Sequence, residues 1–314
     1  MSVQEIGKAE RRRESPSGFH YYSLYRSNPA AWYHKYILGL RPAKTKPPLL
    51  FGGAMHDTLE VYYTNGCNIE MAIDRFRRFM ADRSNDYEDP AKYMEDFNRG
   101  PKMLQVFHDK VGKDDKEKYE IIECEKPYLV PIGPPTSPML FSVRPDRVFR
   151  DKTTGVVTPM ESKTTGWSLD GMFKNTERGG QVTSYIWALK KSHPEWNVEG
   201  CMIDVMYNRG NVYDARRPGK AFRNPYQLML WEMGMYGTIV ELTQKVLTLE
   251  TTPWPLLFPI HEDQQFEDDY AMLYNTQLQP EEVPPGFVKD EWKAEMSEVM
   301  KVTQSFTLTS SLKS

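Results

Sequence analysis

Apolar and polar positions change their spacing several times along the chain, and each change predicts an element. The run YYSLYRSNPAAWYHKYILGLRP (21–42) carries aromatics and Leu at helical spacing, with Asn28-Pro29 near a helix start. After AKTKPP breaks that pattern, LLFGGAMHDTLEVYYTNG (49–66) predicts a helix entered through Gly52-Gly53 and stopped at Asn65-Gly66. Residues 69–82 predict another helix, and the strongly charged stretch 83–118 predicts a helical insertion with loops on the surface. KYEIIECEKPYLVPI (118–132) opens a β-rich region, followed by the Pro-rich loop GPPTSP. Further on come a helix starting near Gly180, a strand, turn and return strand over 198–217 with the turn at Asn208 to Asn211, and a long helix over about 225–247. Residues 1–17 read as a flexible polar tail, and 279–314, rich in Pro, charge and Ser/Thr, as a C-terminal extension.

The stretch RPDRVFRDKTTGVVTPMESKTT (144–165) is the one place where pattern and chemistry coincide. With KTTG (152–155) as a four-residue hairpin loop, Gly155 supplies any left-handed turn position. Asp151 then faces Val156, and counting back along both arms sets Asp146 opposite Glu161. The two-residue period of a strand brings Lys163 to the same face. Facing carboxylates repel, which raises one pKa or calls for a cation between them. A hard divalent ion such as Mg²⁺ resolves the conflict, with Lys163 beside it to orient water or offset charge on a phosphate. The plainer alternative is a solvated hairpin with crossed ion pairs. Glu-x-Lys also occurs at Glu291-Trp292-Lys293, with no facing acid.

Composition narrows the choices. The chain has 314 residues, 40 basic and 43 acidic side chains and a net charge of −3, so any phosphate-binding surface must be local. Its three cysteines, Cys67, Cys124 and Cys201, lie far apart and build neither a disulfide framework nor a four-thiolate cluster. The N-terminal residues contain no apolar signal-peptide core, and no apolar run approaches the roughly 20 residues of a membrane span. The expectation is a soluble, cytoplasmic chain with no membrane contact. No Gly-x-x-x-x-Gly-Lys-Ser/Thr is present, so no nucleotide site is expected, and no helix-turn-helix or zinc module is evident.

Two further pieces join the hairpin: FGGAMHDTLE, with His56 after the glycine pair, and GGQVTSYIWAL, with Gln181 and Tyr185 on one helix face. The ordered set Gly-Gly-x-x-His, Pro145-Asp146, Glu161-Ser162-Lys163 and Gln-x-x-x-Tyr resembles the RecB-like exonuclease branch of the PD-(D/E)XK nuclease superfamily. SLYRSNPAAWYHKYILGL (23–40) and FPIHEDQQFEDDYAMLY (258–274) look like that family's N-terminal helix and C-terminal segment.

The resemblance implies an α/β fold: a restriction-endonuclease-like core with a central mixed β-sheet flanked by helices, plus helical additions, over residues 18–278. It implies that Asp146 and Glu161 bind metal and act in catalysis, that His56 and the Ser162 backbone carbonyl are further ligands, and that Lys163 is the catalytic lysine. It implies that Gln181 and Tyr185 steady the site and touch the DNA backbone. The cofactor would be Mg²⁺ or, given an imidazole ligand, Mn²⁺. Relatives carry four cysteines for an iron–sulfur cluster. This chain has Asn28 before Pro29 and no cysteine in 202–314, so no iron–sulfur cluster is expected and packing must join the two ends.

Candidate DNA-binding residues are Arg144 and Arg147, Lys44 and Lys46, and Arg216, Arg217, Lys220 and Arg223, with Trp167, Phe173 and Tyr213 available to stack on bases. The expected partner is DNA with linear or single-stranded ends, together with a recombination protein or a second copy of the chain. The implied activity is a metal-dependent DNA exonuclease in recombination, repair or phage genome processing. Two alternatives stay open: a structure-directed endonuclease in a defense or anti-defense complex, and a non-catalytic nucleic-acid-binding module.

Overall fold

The structure is a computed structural model that describes residues 17–260, 269–274, 278 and 282–290. Helix α1 (Phe19–Ser27) ends at Asn28, whose side chain accepts the Ala31 N–H and so caps the short α2 (Pro29–Trp32). A π-type turn, Tyr33–Ile37, leads to strand β1 (Leu40–Pro42). Helix α3 (Pro47–Thr64) starts earlier than the sequence predicts. Pro47 and Pro48 lose nothing in a first turn whose N–H groups have no helical partner, so they open the helix and leave Gly52 and Gly53 inside it. A Cβ on Gly52 would come within 3.8 Å of Thr164 Oγ1, so the glycine sits where α3 crosses close to a strand.

Next come α4 (Ile69–Asp82), capped by Asn68, α5 (Pro90–Phe107), capped by Asp89, and the single turn α6 (Asp115–Lys118). The β-rich part contains β2 (Tyr119–Cys124), β3 (Tyr128–Ile132), β4 (Met139–Val143), β5 (Arg147–Asp151) and β6 (Val157–Thr165). Helices α7 (Leu169–Arg178) and α8 (Gly180–Ser192) cross over to β7 (Cys201–Arg209). Then follow β8 (Val212–Arg216), β9 (Lys220–Ala221), α9 (Pro225–Leu247), α10 (Trp254–Leu257) and β10 (Phe287–Lys289).

The main sheet has the order β2-β5-β6-β7-β8, with β9 also on β7. Only β6 and β7 pair in parallel, as the long α7–α8 crossover allows, so the sheet is mixed. With helices flanking it, this is the α/β arrangement expected of a restriction-endonuclease-like core. The β5–β6 register is Arg147↔Met160 through Arg150↔Val157, and Asp151 and Val156 close the loop through Asp151 N–H to Val156 O at 2.9 Å. Gly155 has φ +72°, the left-handed position the turn needs.

The chain divides into two compact units. One holds Lys44–Tyr128 and Arg144–Pro225 and contains the main sheet. Its core gathers Phe51, Leu59, Tyr62 and Phe76 with Phe149, Met160 and Met206 of the sheet. The charged stretch 83–118 is not merely a surface insertion, because α5 contributes Met103, Leu104 and Phe107 to this core. Asp96 is buried too, with ion pairs to Lys92 at 3.2 Å and Arg99 at 3.0 Å and the Tyr87 hydroxyl at 2.9 Å. The helix is amphipathic; counting its charges alone hides the apolar face.

The other unit comprises the described residues up to Ala43, Leu129–Val143, and those from Tyr226 on. Here α1 and α2 meet the C-terminal segment through aromatic contacts. Tyr33 stacks on Trp254 with centroids 4.8 Å apart, Trp32 stacks on Phe258 at 5.3 Å, and Asn28 Nδ2 donates to the Tyr274 hydroxyl at 3.1 Å. Strand β10 pairs with β1, and the Tyr270 hydroxyl donates to Leu40 O at 2.9 Å. Packing therefore joins the N-terminal helices to the C-terminal segment. Residues 1–16, 261–268 and 291–314, on which parts of the expected tail, C-terminal motif and extension fall, lie outside the described residues. Among the described residues no helix is long and apolar enough to cross a membrane.

Two glycines give opposite expectations. A Cβ on Gly100 would lie 2.0 Å from the ring of the fully buried Phe76, so Gly100→Ala should cost about 1–3 kcal/mol. Gly234, in α9, has open space around it, so Gly234→Ala should gain up to about 1 kcal/mol from helix propensity. Urea unfolding of both variants checks the pair, and equal effects would contradict the packing described.

Candidate active site

Asp146 stands one residue before β5, and continuing the ladder sets it across from Glu161. Its Oδ2 accepts the Ser162 N–H at 2.7 Å, and His56 Nδ1 of α3 approaches the same oxygen at 3.3 Å. On the other side, the Glu125 N–H donates to Asp146 O at 3.0 Å, which extends β2 alongside the hairpin. His56, Glu125 and Asp146 each offer an atom within 4.8 Å of the others. Lys163 lies in ion-pair contact with Glu161 and donates to Gln181 Oε1 at 3.2 Å, and Gln181 Nε2 donates to the Tyr185 hydroxyl at 2.7 Å. Three elements, α3, the hairpin and α8, thus bring His56, Asp146, Glu161, Lys163, Gln181 and Tyr185 together.

Glu125 is the residue the sequence reading lacks. It follows a register shift between Ile121 and Glu123 in the β2–β5 ladder and has φ +49°, so simple strand counting misplaces it. The available signal is the acid pair Glu123 and Glu125 in ECEKP. Glu123 is taken up by Lys126 and the Tyr128 hydroxyl, whereas Glu125 turns toward Asp146.

Several expected DNA contacts require correction. Arg147 is only 2% exposed; its guanidinium donates to Ser162 Oγ at 2.6 Å and Asp204 Oδ2 at 3.1 Å and lies over the Tyr63 ring at 4.5 Å. Arg217 is bound by Asp115 at 2.7 Å and Asp204 at 2.6 Å, and Tyr63 donates to the same Asp115 at 2.7 Å. Both arginines neutralise buried acids that arrive from distant segments, so neither is a surface cation. Arg144 pairs with Glu125 at 3.3 Å and is largely covered. Tyr185, 4% exposed, backs Gln181 from inside rather than facing a ligand. Tyr213 packs against the core, and Arg223 is held by Thr183 at 2.8 Å. Arg216 is exposed, paired with Asp214 at 3.1 Å.

Adjacent residues of the first motif therefore grip one residue of the second. Asp146 holds the Ser162 N–H while Arg147 holds its hydroxyl, and Asp204 anchors the arginine. Ser162 lies between Glu161 and Lys163, so this clamp fixes the strand that carries both.

The charges fall into an uneven pattern. Burial pushes the Asp146 carboxyl up, but His56, Arg147 and Lys163 outweigh it and hold it at about 2. Burial and then the Asp146 charge push Glu125 up to about 7 and raise Glu161 as well. Burial lowers His56 and Lys163, yet the acids beside them win and raise both, so Lys163 is an ammonium group in the metal-free chain. Glu161 is fully buried and meets the Lys163 ammonium. Asp146 and Glu125 stand close by as well, and carboxylates gathered this tightly are costly unless a further cation comes between them. Carboxylates with one imidazole form a donor set suited to Mg²⁺ or Mn²⁺, so the residues present fit a divalent ion.

Two expectations follow from this geometry. Folded Glu125, Glu161 and His56 all bind protons more readily than when unfolded, so the stability of the metal-free chain should fall as pH rises through about 7. Mn²⁺ should then raise Tm by about 4 °C or more at pH 8 and by much less at pH 5.5, with EDTA reversing the gain. Equal shifts at both pH values would contradict the acid cluster. Arg147→Met should cost about 3 kcal/mol in urea unfolding by stranding buried acid. If stability were unchanged while DNA affinity and its salt dependence dropped, Arg147 would be a surface contact after all.

A family model described as the PD-(D/E)XK nuclease superfamily matches residues 18–228. No curated protein sequence matches the chain. Among solved structures, one described as "Crystal structure of SSO0001" is similar at 11% identity over 80% of this chain and 96% of the other, with a TM-score of 0.27, too low to carry an argument. The family match spans well over half of the sequence and takes in the acids, the lysine and the helix behind them, and on that ground the chain belongs to the PD-(D/E)XK nuclease superfamily.

Proposed function

We propose that this chain is a metal-dependent DNA nuclease that hydrolyses phosphodiester bonds, working as an exonuclease on linear DNA in recombination, repair or phage genome processing. Membership of the superfamily supports the coarser part, a metal-dependent nuclease. The observation that carries the site assignment is the convergence of His56, Glu125 and Asp146 within 4.8 Å, beside a Glu161 carboxylate in contact with Lys163. His56, Asp146, Glu161 and the Ser162 carbonyl would hold the ion, with Glu125 as a further carboxylate. Bound there, Mg²⁺ or Mn²⁺ would supply Lewis-acid polarisation of the phosphate and make water at the site more acidic.

The chain's own residues do the rest. The Lys163 ammonium, directed by Gln181, offsets negative charge that develops on phosphate oxygens as water attacks phosphorus and the bridging P–O bond breaks. Glu125, turned toward Asp146 at the site, is available to take up a proton from water. Tyr185 keeps Gln181 in place, and the Ser162 clamp keeps Glu161 and Lys163 aligned. Arg216, exposed and paired with Asp214, is a cation that can reach the backbone by exchanging that partner for a phosphate.

The test uses linear and covalently closed DNA, each single- and double-stranded, with Mg²⁺, Mn²⁺ or EDTA. Linear substrates should be degraded with either metal, closed circles spared, and EDTA should abolish turnover. Lys163→Ala should slow cleavage by at least about 100-fold while binding persists. Cutting of closed circles would replace the exonuclease reading with an endonuclease, and binding without any cleavage would leave a non-catalytic module.

A further inference from the structure

Trp167 is the most exposed large apolar side chain among the described residues, at 89%. Its position gives that exposure meaning. It stands two residues after the end of β6, the strand that bears Glu161 and Lys163, and four residues beyond Lys163, at most about 13 Å along the chain. The segment that Trp167 heads also returns to the site, because α7 and the start of α8 lead to Gln181, the hydrogen-bond partner of Lys163.

The backbone under the ring is fixed. The Trp167 N–H donates to Thr165 Oγ1 at 3.1 Å. Gly166 is pressed against β7, where a Cβ would lie 3.3 Å from Asn208 O. Ser168 caps α7, its Oγ accepting the Gly171 N–H at 3.1 Å. A large flat ring is thus held out in water on an ordered turn. Tryptophan is a rigid anchor, with little conformational freedom to lose on binding.

What would cover it is a question of shape. A protein partner needs a contiguous exposed patch of several hundred Å², whereas Gly166, Ser168 and Asp170 are exposed and not apolar and the apolar Leu169, Met172 and Phe173 are partly covered. A nucleobase needs one exposed ring face. Bases inside a duplex are already stacked, so the ring suits a base that is unpaired. We infer that Trp167 is a stacking platform for an unpaired base of the substrate beside the scissile phosphate, which makes a single-stranded stretch part of what this site recognises. The inference rests on the nuclease reading above and adds the strand state of the substrate.

The test measures dissociation constants in Ca²⁺, to hold the complex before turnover, for the full chain, Trp167→Phe and Trp167→Ala. The ligands are a single-stranded oligonucleotide, the same strand with one abasic position walked along its length, and a blunt duplex. The unaltered chain should lose about ten-fold or more in affinity when the base at one position is removed. Trp167→Ala should show that loss with the intact strand and little further loss on base removal, while Trp167→Phe should retain most of the affinity. Circular dichroism confirms that the variants are folded. If the unaltered chain binds none of these ligands, the nuclease reading fails and this inference with it. If it binds but Trp167→Ala is unchanged, or loses affinity equally for the blunt duplex, the stacking platform alone is overturned.

Discussion

One antiparallel register, with Arg147 against Met160, decides where Asp146, Glu161 and Lys163 lie. It brings Asp146 across from Glu161, and a slip of one residue would send one of them to the opposite face. The turn at Gly155 fixes the count at one end, and the Asp146–Ser162 hydrogen bond fixes it at the other. Between those two points the strands have no freedom to place the acids elsewhere. Their mutual repulsion is therefore built in. Burial and then that repulsion raise Glu161 and Glu125, beside an Asp146 that His56, Arg147 and Lys163 keep ionised.

That register was legible in the sequence because a four-residue loop ending in glycine and the two-residue period of strands are local rules. The helices over 69–82 and 225–247 were legible for the same reason: their apolar spacing and end signals sit within the segments themselves. Reading failed where distant residues decide the outcome. Arg147 and Arg217 look like surface cations until Asp204 and Asp115, carried by other elements, arrive to neutralise them. Glu125 was hidden by an irregular ladder, and the burial of α5 by the number of charges along it. Even the start of α3 turned on whether a proline pair or a glycine pair opens the helix.

The buried arginines also show how the two faces of the strand divide labour. Glu161 and Lys163 point to the reacting side, and Ser162 points to a network of two arginines and two aspartates. Charges on that second side largely balance within the network, which contributes rigidity, while Arg147 also helps keep Asp146 ionised. A charged cluster of this kind is costly to assemble but specific in geometry, since each guanidinium accepts few alternative arrangements of its acids.

The unit that joins residues 19–42 to residues 254–289 has a consequence for biosynthesis. Tyr33 and Trp32 wait for Trp254 and Phe258, and Leu40 waits for the strand at Phe287–Lys289. On a ribosome adding about 5–20 residues per second, those N-terminal aromatics leave the exit tunnel well before their partners are made. The sheet that carries Asp146 and Glu161 needs nothing beyond Ala221, so its strands are all available first. The nascent chain must therefore keep the apolar surface of Trp32, Tyr33 and Leu40 uncovered until residues 254–289 are made.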